Sequence, residues 1–202
     1  MNRRLRVTVA LLVLLIVLVV TFLFLSNSCP LQGISLTRAA AEEHQLKNRT
    51  TIPLALDFDH AVSLAAMLQP GNDQTRWSQH NAAAIEGYVV SIGNGGIESA
   101  NCYVPCNRDT HINLALRVDA PSREQVVVEV TPRMRTDARS HGRDWSTKGL
   151  TQTLVGRWCR FEGWLYFDAQ HANEATNTAA AQARIWRATA WELHPITNIE
   201  IK

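Results

Sequence analysis

The sequence predicts a mainly-β domain, a closed barrel of five strands with a short helix between the third and fourth, preceded by a long apolar N-terminal segment. Three observations carry this. From Ala84 onward, runs rich in β-branched and aromatic residues alternate apolar with polar at period two, as strands with one buried face do. Turn signals part these runs at Gly93-Asn94-Gly95-Gly96, Pro121-Ser122 and Pro132. Val7 to Leu25 holds nineteen residues without a charge.

That stretch spans roughly 28 Å as a helix, close to the ~30 Å hydrocarbon core of a bilayer. It also exceeds the ~7–15 apolar residues usual in a removed secretory signal. Arg3, Arg4 and Arg6 precede it, and the positive-inside rule then holds the N-terminus in the cytoplasm. The expectation is a transmembrane signal-anchor over residues 1–25. It implies a single pass through the inner (plasma) membrane by residues 7–25 and a periplasmic or extracellular C-terminal domain. Ser26-Asn27-Ser28 offers small residues for a signal peptidase, and Cys29 a site for lipidation, so cleavage and lipidation stand as alternatives. Residues 26–75 read as a polar stalk containing a short helix, capped by Asp57 or Asp59 and stopped by Pro70-Gly71. The domain proper occupies 76–202.

Ile85–Ile92 forms the first strand. Thr110–Asp119 forms the second, with Ile112, Leu114, Leu116 and Val118 on one face and His111, Asn113, Arg117 and Asp119 on the other. Gln125–Thr131 is the third, ended by Pro132. Arg133–Arg143 is polar and basic and reads as a loop. Ser146 or Thr147 caps a short helix whose Leu150 and Leu154 share a face and whose end is Gly156. Arg157–Asp168 is the fourth strand, with Gly163 at a bulge. Residues 169–183 form a polar loop, and Ile185–Leu193 with Ile196–Ile201 complete the pattern, parted at Pro195. This order is that of an OB-fold-like barrel.

The chain carries 20 Lys+Arg against 18 Asp+Glu. Setting aside the three N-terminal arginines leaves 17 basic against 18 acidic side chains, a net of −1. A nearly neutral domain is no bulk polycation, which argues on charge against nucleic acid as a partner. The 46% hydrophobic content excludes a disordered chain.

Glu98, Asp109 and His111 are the candidate catalytic residues. A carboxylate–imidazole cluster of this kind suits a general base or a divalent cation. The alternative is that Glu98, Asn101 and Asp109 cap loop backbone, with His111 hydrogen-bonded at the barrel mouth. Asn101, Arg133, Arg187 and His194 are candidate binding residues, although Glu129 with Arg133, and Arg187 with Glu192, could simply pair. Asp168, His171, Glu174 and Asn177 resemble metal ligands but lack a compact spacing, and loops of this kind are usually solvated. No metal or cofactor is expected from spacing alone, with a divalent metal ion as the alternative. Cys102 and Cys106 are close enough in sequence to close a small disulfide loop; free thiols, or a zinc site of Cys102, Cys106, His111 and a distant fourth ligand, are the other readings. Cys159 reads as a core thiol. Trp158, Trp164 and Tyr166 read as packed beneath the helix or the N-terminal segment rather than as stacking platforms. Arg133, Arg135, Arg139 and Arg143, partly offset by Asp137 and Asp144, read as a solvated loop rather than a phosphate clamp.

Longer motifs occur in the order Glu98-Ser99-Ala100-Asn101-Cys102, Asp109-Thr110-His111-Ile112, Val128-Glu129-Val130-Thr131-Pro132-Arg133, Phe161-Glu162-Gly163-Trp164-Leu165 and Trp186-Arg187-Ala188-Thr189-Ala190-Trp191-Glu192-Leu193-His194-Pro195. Over residues 76–201 the chain resembles a family of uncharacterised bacterial secreted or membrane-anchored proteins with an OB-like barrel. The resemblance implies an extracytoplasmic location and no assigned activity, and Cys106 falls outside its pattern. The functional expectation is a membrane-anchored extracytoplasmic binding module for an envelope protein or polymer. The alternative is a metal-assisted, phosphodiesterase-like hydrolase using Glu98, Asp109 and His111. No Walker loop, dinucleotide fingerprint or nucleophile elbow is present in the sequence.

Overall fold

A computed structural model describes residues 3–27, 29–71, 74–178 and 184–202, with side chains on the first helix described for 8–20. The strands are β1 (Ala82–Asn94), β2 (Thr110–Ala115), β3 (Val126–Val130), β4 (Trp158–Phe167) and β5 (Trp191–Ile201). They close into a barrel in the order β1-β2-β3-β5-β4. All pairings are antiparallel except β3 with β5, where Val128 faces Leu193 in parallel. This is the expected mainly-β, five-stranded OB-like barrel.

β1 is thirteen residues long and serves two neighbours. Its first half, Ala82–Tyr88, pairs with β4, and Tyr88–Asn94 pairs with β2 across an irregularity between Val89 and Ser91. The register also slips on both sides of Gly163 in β4. A Cβ at Gly163 would stand 2.5 Å from the Pro195 carbonyl oxygen, so only glycine lets β4 and β5 approach here. The inward residues Ile85, Val89, Ile112, Leu114, Val126, Val128, Val130, Phe161, Leu165 and Leu193 form one buried cluster. β2 ends at Ala115, and Leu116 and Val118 are exposed rather than part of the strand face. The last strand is one element, continuous through Pro195, whose bond to His194 is cis.

Among the described residues the α-helices are α1 (Arg3–Asn27), α2 (Arg38–Lys47), α3 (Leu64–Met67), α4 (Pro132–Ser140) and α5 (Thr147–Leu154). Residues 132–140, expected as loop, are helical. Thr131 caps the helix by accepting from the Met134 N–H, and Pro132 sits at its first turn, where a missing N–H costs nothing. Met134 and Ala138, four apart, bury one stripe in the core cluster. Ser146 caps α5 as expected, and Leu150 and Leu154 face the core. The cap of α3 is Ser63, while Asp57 and Asp59 accept backbone N–H groups of Leu54 and Ala61 in the preceding turns.

The expected membrane anchor is corrected. Among the described residues no helix is long and apolar enough to cross a membrane. The signal-anchor over 7–25, the inner membrane as partner, the single-pass topology and the periplasmic or extracellular placement built on it are accordingly set aside. The side chains of Arg3, Arg4 and Arg6, Ser28 of the cleavage reading, and residues 179–183 of the polar loop lie outside the described residues.

Residues 29–49 fold back onto the outer face of β4 and β5. Arg49 donates to the Gln79 and Leu165 carbonyls and stacks on Trp164, whose indole N–H donates to Thr51 O. Tyr166 donates to Glu43. Cys29 is disulfide-bonded to Cys102, Cα–Cα 5.8 Å, across 73 positions. Cys102 is thus joined to Cys29 and not to Cys106, which is a free, exposed thiol. Three residues between two cysteines was a local cue, whereas the true partner comes from a segment that only the folded chain brings near.

Candidate metal centre

Because side chains alternate along a strand, the residues between the core positions of β2, β3 and β5 point outward together. His111 faces Glu129 across the β2–β3 ladder, and Glu192 and His194 flank Leu193 on β5. On an open barrel these groups would be solvated. Here α2 and residues 98–109 roof them over, leaving Asp109, Glu129, Glu192 and His194 at 2%, 3%, 0% and 0% exposure. The roof is held by the Lys47–Glu98 ion pair (2.6 Å) and by Asn48, which donates to the Leu31 and Ala100 carbonyls.

Inside this space Asp109, Glu129 and His194 each place a ligand-capable atom within 4.8 Å of the others. His194 Nε2 lies 3.8 Å from Asp109 Oδ2, and its Nδ1 lies 3.3 Å from Glu129 Oε2. Asp109 Oδ1, Glu129 Oε2 and both His194 ring nitrogens are buried without a hydrogen-bond partner. Buried polar atoms are rarely left unmatched, because each forfeits its hydration for nothing. Two carboxylates and an imidazole converging with orphaned lone pairs fit a divalent cation. The mixed oxygen–nitrogen set favours a transition dication such as Zn²⁺ or Mn²⁺ over Ca²⁺.

The surroundings are strongly charged. Burial raises the Asp109 carboxyl to about 6, against the pull of Lys47 and of Asn101, which donates to Oδ2 at 3.1 Å. Burial and the neighbouring Glu129 raise Glu192 to about 7. Burial opposes ionisation of Glu129 too, but His111 and His194 outweigh it and hold the carboxyl below its ordinary value. His111 sits at the rim, its side chain 21% exposed and its Nε2 3.0 Å from Glu129 Oε1. Burial resists its charge, yet Glu129 prevails and raises it to about 9. Burial likewise works against Lys47, and Glu98, Glu129, Asp109 and Asp168 overcome it, raising its pKa.

Of the candidate catalytic trio, Asp109 belongs to the cluster, His111 contacts the cluster's Glu129, and Glu98 is committed to Lys47 in the roof. Among the candidate binding residues, Asn101 orients Asp109 and His194 is in the cluster. Arg187 is buried between Asp168 (3.3 Å) and Glu192 (3.5 Å) and donates through Nε to Thr189 O. Arg133 points away, donating to the Cys29 and Pro30 carbonyls, so it does not pair with Glu129. His171 bonds Asp168 and lies 3.8 Å from Glu174, an ion-pair cluster rather than a metal set. The sequence reading missed Glu129 and Lys47 as site residues. The one available signal was Glu129 standing among valines on a strand buried on both faces.

No protein-family model and no curated protein matches the chain. The resemblance to a bacterial membrane-anchored or secreted family is therefore corrected; of what it implied, the OB-like barrel remains. The reading as a membrane-anchored binding module for an envelope partner falls with the anchor, and the buried Asp109/Glu129/His194 cluster favours the metal-dependent alternative.

Proposed function

We propose that the protein is a divalent-metal-binding barrel with hydrolase-like chemistry, the metal held by Asp109, Glu129 and His194. The observation that carries this reading is the convergence of three buried side chains with unpartnered ligand atoms. Three protein ligands leave coordination positions open, as catalytic sites require and closed structural sites do not. A bound dication supplies Lewis-acid activation of an oxygen and lowers the pKa of bound water. Asn101 fixes the Asp109 carboxylate, and Arg187 holds Glu192 beside His194. His111, at the rim beside Glu129, is placed to give a proton to a leaving group; the roof excludes bulk water.

The test is metal analysis by inductively coupled plasma mass spectrometry on protein dialysed against Zn²⁺ or Mn²⁺, with turnover of bis(p-nitrophenyl) phosphate followed in parallel. One equivalent is expected for the wild type and a loss of at least tenfold in affinity for Asp109→Asn, Glu129→Gln and His194→Ala. Metal-dependent hydrolysis should fall with each. Absence of stoichiometric metal, or metal retained equally by all three variants, overturns the site; metal bound without any hydrolysis overturns the catalytic reading.

A further inference from the structure

Beside the roofed cluster, the surface opens into a cleft of about 560 Å³ lined by Arg133, Arg135 and Arg139 together with Cys29, Cys106 and Asn107. It continues into a space of about 300 Å³ that shares Arg135 and Arg139 and adds Arg108. No acidic side chain lines either space. Arg135 and Arg139 are four apart on α4 and so project from one face, where like charges repel.

The guanidiniums are anchored by neutral groups. Arg133 is held by the carbonyls of Cys29 (2.6 Å) and Pro30 (2.7 Å), and Arg135 by Thr110 Oγ1 (2.9 Å) and the Arg108 carbonyl. Arg133 uses Nη2 and Arg135 its two terminal nitrogens, so other N–H groups of both remain for a ligand. Among the described residues Arg139 makes no side-chain hydrogen bond or ion pair, and no carboxylate pairs with any of the three. Burial lowers the pKa of Arg133 and Arg135 against the opposing pull of the Asp109 carboxylate, and the charge of Arg139 lowers that of Arg135 further. Charge is thus concentrated, partly desolvated and held in place without a direct ion pair, with Asp109 and Asp144 acting on it only from a distance.

We infer that this cleft is an oxyanion site for a phosphate-bearing ligand, gripped by Arg133, Arg135 and Arg139. Planar guanidiniums can match phosphate oxygens bidentately, as Arg139 is open to do, while the remaining N–H groups of Arg133 and Arg135 add single donors. Position supports a substrate role. Arg135 binds the carbonyl of Arg108 and the hydroxyl of Thr110, the residues on either side of the metal-cluster Asp109. A phosphate in the cleft therefore sits against the wall of the metal centre. As a substrate subsite this rests on the hydrolase reading; as an anion site it does not.

The experiment is isothermal titration of the metal-free full chain with inorganic phosphate and with pyrophosphate at two salt concentrations. Binding that weakens with salt is expected. Arg139→Gln, at a solvated position, should weaken it about 10-fold and Arg139→Glu further, as expected for loss of a charged hydrogen-bond donor. Arg117→Gln, an exposed arginine paired with Asp119 and Glu124, should leave it unchanged. Asp109→Asn should also retain anion binding, which separates this site from the metal reading. Wild-type protein that binds neither anion, or Arg139 variants that bind as tightly as wild type while folded by circular dichroism, overturn the inference. Anion binding in a protein that takes up no metal supports the cleft and overturns the hydrolase.

Discussion

His194 lies between two carboxylates from different strands. Its Nε2 is 3.8 Å from Asp109 and its Nδ1 3.3 Å from Glu129, with neither ring nitrogen in a hydrogen bond. The protein without metal therefore carries a cost at this point that a dication removes. Binding to the folded state alone stabilises by about 2.7 kcal/mol at one hundred times Kd. Calorimetry should show the melting temperature rising by roughly 5–10 °C with Zn²⁺ or Mn²⁺. EDTA should reverse the rise, and Glu129→Gln should abolish it. A rise of equal size in Glu129→Gln would place the ion elsewhere.

Arg187 predicts the largest single-site loss. It is 1% exposed and contacts Asp168 and Glu192, both buried. Replacing it by Ala leaves Glu192 in a low-dielectric space without its cation and Asp168 with His171 alone, a loss of about 3–5 kcal/mol. Urea unfolding measures it; a change below ~1 kcal/mol would show that water reaches the pair.

The Cys29–Cys102 disulfide closes a long loop, 73 positions apart. In the chain-entropy treatment this corresponds to about 4 kcal/mol. Cys29→Ser should lower the denaturation midpoint accordingly, and peptide mapping of the unreduced chain should recover the 29–102 crosslink. Recovery of a 102–106 crosslink would refute the pairing.

Gly163→Ala should destabilise by about 1–3 kcal/mol, because the new methyl meets the Pro195 carbonyl in a β4–β5 pair that has no room to part. Gly93→Ala, with open space at its Cβ, is the control.

The Asp168–His171 contact sets a pH window. Donating a hydrogen bond to the Asp168 carboxylate raises the His171 pKa, so its contribution is full below the unfolded value of ~6.5 and is lost as pH rises through the folded one. Burial opposes the charge on Asp168, but His171 and Arg187 hold its carboxyl well below the usual range. That contribution is present above about pH 4 and lost on acidification through the folded value. Between roughly pH 4 and 6.5 both act. NMR titration of His171 should give a value above 6.5, and His171→Asn should lose more stability at pH 6 than at pH 9. Equal losses at both would overturn this.

The barrel was legible because its strands alternate and its turns are marked by Gly and Pro, cues that act within a few residues. Helix α4 was obscured by its four charged residues; the Thr131 cap, Pro132 and the Met134/Ala138 stripe were the weaker, correct signals. Asp109, His111 and His194 stood out as isolated polar residues in strand-rich sequence. Glu129 joins His194 only through the parallel β3–β5 pairing, sixty-odd residues apart in sequence, and no local pattern announces such a crossing. The cysteine partner and the Lys47 roof share that non-local origin.

The roof has a consequence for how the centre comes into being. Glu129 and His194 belong to barrel strands and Asp109 directly precedes β2, but much of their dryness comes from residues 29–49, tied down at Cys29 and Lys47. Until that segment docks, the carboxylates and His194 stand on an open sheet face in water, where ion binding is weak. Tight metal binding is thus a property the barrel acquires only when an upstream stretch of chain closes over it. Metal retention thereby reports whether the two parts have come together.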